Sequence, residues 1–283
     1  MADIYIGLGI MVSLAAVLLF LGLKADARLS QRASLAAITL TIVGLFLYAI
    51  FLRESALLIR MLPFSNAIIV GNWLILFGGL LTGLVVKRIP GGRLRRGIYC
   101  VLLIVACTYT LIAPLVGPVP QGGDYWTREG VAIQSSDSSC SAACAATLLR
   151  TVGIRTTEQE MIRLCLTRTN GTLWYGLYRG LKLKTAGTPY DVEVLRGTVD
   201  DLKSGKLKGP LILSVRLDKK PGTDVRYEQN WGWTPGVAHS VLFSRILPNN
   251  LVEMGDPSIG LEKWGIDGIE TLWHGDAMRL VKR

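Results

Sequence analysis

Four apolar stretches in the first 116 residues constrain this chain more than any other feature. They run Ile4–Leu23, Leu35–Leu52, Ala67–Val86 and Gly97–Val116. Each is close to the ~20 residues needed to cross a bilayer as a helix. Inside hydrocarbon every backbone N–H and C=O must find its partner within the protein, so runs of this kind are helices. None of the four carries an internal charge, which leaves ion or proton transport without support. The first lacks the basic leading region and small-residue cleavage site of a signal peptide and reads as a retained span. Gly79-x-x-x-Gly83 in the third allows close helix approach, within this bundle or to a partner.

The formal net charge is +10, which by itself would point to nucleic acid. Its distribution argues otherwise. Residues 1–120 hold ten basic residues and three acidic ones, so most of the excess lies between the apolar runs. There it sets membrane orientation. Loop 24–34 carries Lys24, Arg28 and Arg32, and loop 87–96 carries Lys87, Arg88, Arg93, Arg95 and Arg96. Loop 53–66 has only Arg53 and Arg60 against Glu54. The first and third loops are therefore expected on the cytoplasmic side, with both termini outside. Leu57–Pro63 fits either a short interfacial helix or the frayed end of the second span.

The remainder, with Gly117-Pro-Val-Pro-Gln-Gly-Gly123 as a turn-rich linker over 117–130, reads as a soluble domain over 131–283 with its own core. Gln134 lies 18 residues past Val116. A fully extended chain of that length spans at most about 60 Å, which bounds the distance of any site there from the membrane.

Gln134-Ser-Ser-Asp-Ser-Ser-Cys140 leads into the Ala-rich run Ser141–Leu149. The run reads as a helix to about Val152, stopped at Gly153. A thiol at a helix N-terminus meets the positive end of the macrodipole, which favours the thiolate. An amide one loop upstream can donate to the same place, so nucleophile and oxyanion donor stand together. Thr157-Glu-Gln-Glu160 is a capping box for a second helix through about Leu166, and Leu173–Leu183 reads as a third. Strands are expected at Tyr190–Leu195, Pro210–Leu217, Val237–Ile246 and Leu251–Met254. The Pro248-Asn-Asn250 turn then places His239 and Asp256 on neighbouring antiparallel strands. A short helix at Gly268–Trp273 and a strand at Ala277–Val281 complete an α+β layout.

Cys140 is thus the candidate nucleophile, His239 its ion-pair partner and acid, Asp256 the orienting carboxylate and Gln134 the oxyanion donor. Each alone has a plainer reading: a buried cysteine, a structural histidine, a turn aspartate, a solvated amide. Their joint order is what points to catalysis. His274 reads as a surface histidine. Cys144 reads as core packing, with a bond to Cys165 as the rival in an extracytoplasmic domain. Cys100 and Cys107 read as packing residues of the last span. No C-x-x-C pair exists and the two histidines are not spaced as ligands, so neither a metal nor a cofactor is expected.

Four segments together resemble the bacteriocin-processing, double-glycine leader cysteine peptidases: Gln134-x5-Cys140 before an Ala-rich helix, Ala238-His239-Ser-Val, Gly255-Asp256-Pro257-Ser, and Trp273-x-Gly275 before a short final strand. The resemblance covers about Val131 to Arg283. It implies a papain-like fold, a Cys140–His239–Asp256 triad with Gln134 at the oxyanion, and a multi-pass protein of a bacterial cytoplasmic membrane. Where the family has an acidic residue and then Cys-Gly, this chain has Ser139-Cys140-Ser141. It also lacks the Gly-x4-Gly-Lys-Ser/Thr phosphate loop of the fused exporters. A double-glycine leader is therefore not carried over as the substrate. The expected activity is thioester chemistry on a secreted or membrane-associated peptide or small protein. The rivals are a non-catalytic docking subunit of a membrane complex and a cell-wall amidase or acyltransferase.

Overall fold

The computed structural model describes residues 1–53, 55–218 and 220–283. Glu54, counted above against Arg53 and Arg60, lies outside the described residues. The chain divides into two compact units, Met1–Val116 and Gly117–Arg283.

The first unit is helical: α1 (Ala2–Arg28), α2 (Gln31–Leu47) with a π-helical turn at Tyr48–Leu52, α3 (Ala56–Met61), α4 (Ala67–Val70), α5 (Leu74–Val85) and α6 (Arg93–Ile112) with a 3-10 turn at Ala113–Leu115. Four spans are long and apolar enough to cross a membrane: Ala2–Arg28, Gln31–Leu52, Ala67–Val85 and Arg93–Leu115. Their outward faces are rich in exposed apolar side chains such as Leu40, Phe46, Leu94 and Val101. A surface of that size is a liability in water and is matched by lipid.

The glycine spacing is used inside the bundle. A Cβ on Gly79 would stand 2.5 Å from the Ala15 carbonyl oxygen, and one on Gly22 would stand 2.7 Å from that of Leu80. The Gly79-x-x-x-Gly83 ridge thus presses α5 onto α1 with backbones nearly touching. Helices reach further than the apolar runs. Lys24 and Asp26 fall on the last turns of α1 rather than in a loop. There the Asp26 side chain is nearly inaccessible, paired with Arg88 at 2.9 Å and accepting the Ser34 hydroxyl at 3.0 Å. Leu57–Met61 belongs to α3, a separate helix whose Leu58 and Ile59 are buried. The third span is broken at Gly71–Trp73, and Tyr48 bridges the break: its hydroxyl donates to Gly71 O at 2.6 Å and accepts from Trp73 N at 3.1 Å.

The second unit is α+β. In chain order it holds β1 (Tyr125–Trp126), β2 (Ala132–Ile133), α7 (Cys140–Thr151), α8 (Glu158–Leu164), α9 (Trp174–Thr185), β3 (Tyr190–Arg196), α10 (Val199–Lys203), β4 (Leu211–Arg216), α11 (Arg226–Gln229), β5 (Ala238–Leu247), β6 (Leu251–Asp256), β7 (Gly260–Gly265), α12 (Ile266–Leu272) and β8 (Trp273–Lys282). The large sheet has order β3-β8-β4-β5-β6-β7, every neighbour antiparallel. The last strand begins at Trp273, earlier than the sequence indicated. β7 was not anticipated, because Gly260-Leu-Glu-Lys-Trp-Gly265 has no clean apolar alternation.

Every residue of α7 from Ser141 to Leu149 is buried. A helix apolar all round belongs in a core, and alanine lets its neighbours close in on all sides. It packs on β5, α8 and α9. Leu211, Leu213 and Val215 of β4 join Val241 and Phe243 of β5 with Ile269 and Leu272 of α12 in one apolar cluster. Thr157 caps α8 by accepting Glu160 N at 3.1 Å. The reciprocal half of that capping box is replaced, since the Glu160 carboxylate takes the Thr156 hydroxyl and Lys184 instead.

Candidate active site

Cys140 is the first residue of α7, after Ser139 at the cap position. The approach to it is held by its own serines. Ser136 N donates to Ser139 Oγ at 3.1 Å, and Ser139 Oγ donates back to Ser136 O at 2.9 Å. These bonds close a tight turn and deliver Cys140 to the helix start. The Cys140 side chain is half-buried.

His239 is the second residue of β5. Asp256 is the last residue of β6, and its side chain is almost wholly buried. Because β5 and β6 are adjacent and antiparallel, the two side chains meet: His239 Nε2 lies 3.0 Å from Asp256 Oδ1. The same oxygen accepts Ser258 N at 2.7 Å. Asp256 therefore serves the turn before Pro257 and holds the imidazole at once. That contact leaves the second nitrogen of the ring, and Cys140 is the other group whose hydrogen bonding and charge act on His239.

The electrostatics follow. Burial pushes the Cys140 thiol up, but the hydrogen bond and charge of His239, helped by the Ser240 backbone and the Ser141 hydroxyl, bring it below its ordinary value. Burial pulls His239 down, and the hydrogen bonds and charges of Asp256 and Cys140 raise it to about 10. Both shifts favour thiolate and imidazolium side by side. The neighbouring thiols behave oppositely. Burial, then the charges of Cys140 and Asp256, pushes Cys144 well above the ordinary range. Burial carries Cys165 to about 12. Both are free thiols, and Cys144 donates to Ser240 O at 3.1 Å, a packing role.

Gln134 lies at the end of the β2 segment, its N–H donating to Pro257 O at 2.8 Å. That bond joins its loop to the Asp256 turn. Its Nε2 donates to Ser136 O at 3.1 Å. One N–H of the side-chain amide remains beyond that bond. The amide oxygen is buried without a partner. The structure thus brings Cys140, His239 and Asp256 into one chain of contacts and puts Gln134 on the loop that leads to Cys140. His274 stands apart, bonded to Arg216 O at 3.0 Å and exposed.

Two features carried no sequence signal. Ser141 and Ser240, the neighbours of Cys140 and His239, join hydroxyls at 2.8 Å and tie the two elements beside the reacting pair. Trp233 sets its edge against the His239 ring at 5.9 Å between centroids, and its other neighbour is Trp264 at 5.7 Å. The pairing of Ser141 with Ser240 depends on a fold contact between positions 99 apart, which local pattern cannot reveal. Among the described residues no group of histidine, cysteine and carboxylate side chains could hold a metal ion.

No family model matches the chain, and no curated protein matches it. Solved structures do. The peptidase domain of Streptococcus ComA, a bifunctional ABC transporter involved in a quorum-sensing pathway, is similar over 54% of this chain and 97% of its own length, at 18% identity and a TM-score of 0.43. A double-glycine-motif protease from an AMS/PCAT transporter, solved in complex with the leader peptide, is similar over 59% of this chain and 99% of its own, at 16% identity and a TM-score of 0.41. The N-terminal peptidase C39-like domain of the toxin secretion ATP-binding protein from Vibrio parahaemolyticus covers 53% of this chain and 100% of its own length, at 13% identity and a TM-score of 0.35.

Proposed function

We propose that this chain is a membrane-anchored cysteine endopeptidase acting on a secreted or membrane-associated peptide or small protein. The observation that carries the reading is His239 held between Asp256 at 3.0 Å and the Cys140 thiol at the start of α7. In this reading the Cys140 thiolate attacks the scissile carbonyl carbon, and charge develops on the carbonyl oxygen. The free N–H of Gln134 and the backbone N–H groups of the first turn of α7 receive that charge. The tetrahedral adduct collapses as the C–N bond breaks, and His239 gives its proton to the leaving amine. Water, activated by the now neutral imidazole, resolves the thioester and restores the thiol. Asp256 holds the ring so that one nitrogen faces the thiol throughout.

The basic residues of loops 24–34 and 87–96 support an outward-facing domain. The substrate would then be met outside the cytoplasm, as it leaves the membrane or while still anchored in it. The test is a peptidyl electrophile that acylates catalytic cysteines, followed by mass spectrometry. An adduct on Cys140 that disappears in His239→Ala is expected. A chain that keeps processing its substrate as Cys140→Ala contradicts the reading.

A further inference from the structure

Glu158 opens α8 and is fully buried. Its carboxylate is satisfied by three donors. Ser135 N donates at 2.7 Å and Ser135 Oγ at 2.5 Å, and Gly123 N donates at 3.1 Å. Ser135 directly follows Gln134. Gly123 is the end of the segment that leaves the membrane unit. The next residue of α8 repeats the grip, since Gln159 Oε1 accepts Gly122 N at 2.7 Å. Gly123 N also reaches Ser135 Oγ at 2.5 Å. The seat is too close for side chains: a Cβ on Gly122 would lie 2.8 Å from Gln159 N, and one on Gly123 would lie 2.9 Å from Ser135 Oγ. Further back, Pro118 O accepts Thr169 N at 3.1 Å. The segment that the sequence presents as a turn-rich linker is therefore bound along the domain and meets the Gln134 loop at one buried carboxylate.

We propose that Glu158 is a positioning residue for the oxyanion: it fixes the Gln134 loop through Ser135 and locks that loop to the membrane tether through Gly123. The inference rests on the peptidase reading above. Two bonds fix the chain at Gln134 and at the residue after it: Gln134 N–H on Pro257 O and Ser135 N–H on Glu158. The first reports to the Asp256 turn, and the second reports to the tether. Loss of the carboxylate leaves the Ser135 amide without its acceptor and frees the side of the loop that aims the Gln134 amide. Because the thiolate depends on His239 and not on this loop, the two can be separated by experiment.

The experiment compares two probes on the full chain in detergent. Iodoacetamide reacts with Cys140 by displacement at a saturated carbon and needs only the thiolate. p-Nitrophenyl acetate acylates it through a tetrahedral adduct: the S–C bond forms, the C–O bond breaks and p-nitrophenolate leaves. Glu158→Ala should lower the acylation rate at least about tenfold, in the direction of losing an oxyanion donor, and leave the alkylation rate and its pH profile within about twofold. Glu158→Gln, which keeps one acceptor oxygen for Ser135 N, should recover part of the loss. Gly122→Ala, which unseats the tether, should show the same selective loss. Glu158→Ala combined with Gln134→Ala should be no slower in acylation than Gln134→Ala alone, since both changes remove one interaction. Unchanged acylation, losses that add in the double variant, or equal falls in both rates would overturn the proposal while leaving the peptidase reading standing. A wild-type Cys140 that alkylates with an ordinary thiol profile would overturn that reading, and this proposal with it.

Discussion

Among the described residues, a nearly inaccessible aspartate side chain meets a basic side chain in each unit, and the two pairs make opposite use of similar parts. In the helical unit Asp26 meets Arg88 at 2.9 Å and takes a second hydrogen bond from the Ser34 hydroxyl. In the α+β unit Asp256 meets His239 at 3.0 Å and takes a second hydrogen bond from Ser258 N. Both aspartate side chains are nearly inaccessible, at 5% and 6% exposed. The difference lies in the partner. A guanidinium stays charged at every accessible pH, so Asp26–Arg88 can only fasten α1 to the segment after α5. An imidazole gains and loses a proton, and its second nitrogen serves a thiol at a helix start. Burial and pairing alone do not mark a catalytic carboxylate. What the carboxylate orients, and whether that group can exchange a proton with a nucleophile, does.

The sharpest break in the comparison is removal of the nucleophile. Cys140→Ala should reduce processing and acylation at least ~10³-fold, with a thermal transition close to wild type because the side chain is small and only half-buried. Asp256→Asn comes next. It preserves shape but changes what the imidazole is bonded to, and should lower turnover by about 10²–10⁴-fold. It should also move the alkaline limb of the pH profile downward. In the intact pair the thiolate form appears below the ordinary thiol range, and the imidazolium persists to about 10. Activity is therefore expected to rise as Cys140 ionises and to fall as His239 deprotonates near that upper value. The linked stability has a definite sign. The raised His239 value contributes stability fully present below the ordinary histidine pKa, declining above it and gone once pH passes about 10. Denaturant melts of the Gly117–Arg283 unit within the full chain, taken across that range, would show it.

Asp26→Asn belongs to the other side of the comparison. It should weaken the helical unit by roughly 1–3 kcal/mol, discounted because the Arg88 side chain is 28% exposed and partly solvated. Acylation of Cys140 per folded molecule should not change. A loss of acylation without unfolding would mean that the two pairs are not distinct in kind. The smallest effect is expected from Cys144→Ala. Its thiol is buried with a strongly raised pKa and donates to Ser240 O. Alkylation of Cys140 should stay within a few-fold of wild type.

The sequence made the reactive pair easier to read than its supports. Helix starts and strand turns are local, so Cys140 at the head of α7 and His239 and Asp256 across the Pro248-Asn-Asn250 turn could be placed from spacing alone. Glycine spacing in the third span likewise announced close packing, and the α1 carbonyls show what it packs against. From the sequence, Glu158 is only the first residue of a capped helix. Its role depends on Ser135 and Gly123, which lie 23 and 35 residues away and meet it only when the tether folds back. The pairing of Ser141 with Ser240 was invisible for the same reason. Apolar composition ends at Leu23, before α1 does; in the last turns of the helix Arg88 and Ser34 supply partners for the Asp26 charge.

The most direct measurement is labelling of intact cells that carry this chain, using a membrane-impermeant, cysteine-directed peptidase electrophile, with the modified residue read by mass spectrometry in wild type and in His239→Ala. The account predicts an adduct on Cys140 in the wild type, formed without lysis and lost in His239→Ala. Equal, weak labelling of the cysteines of the second unit, indifferent to His239, would contradict it.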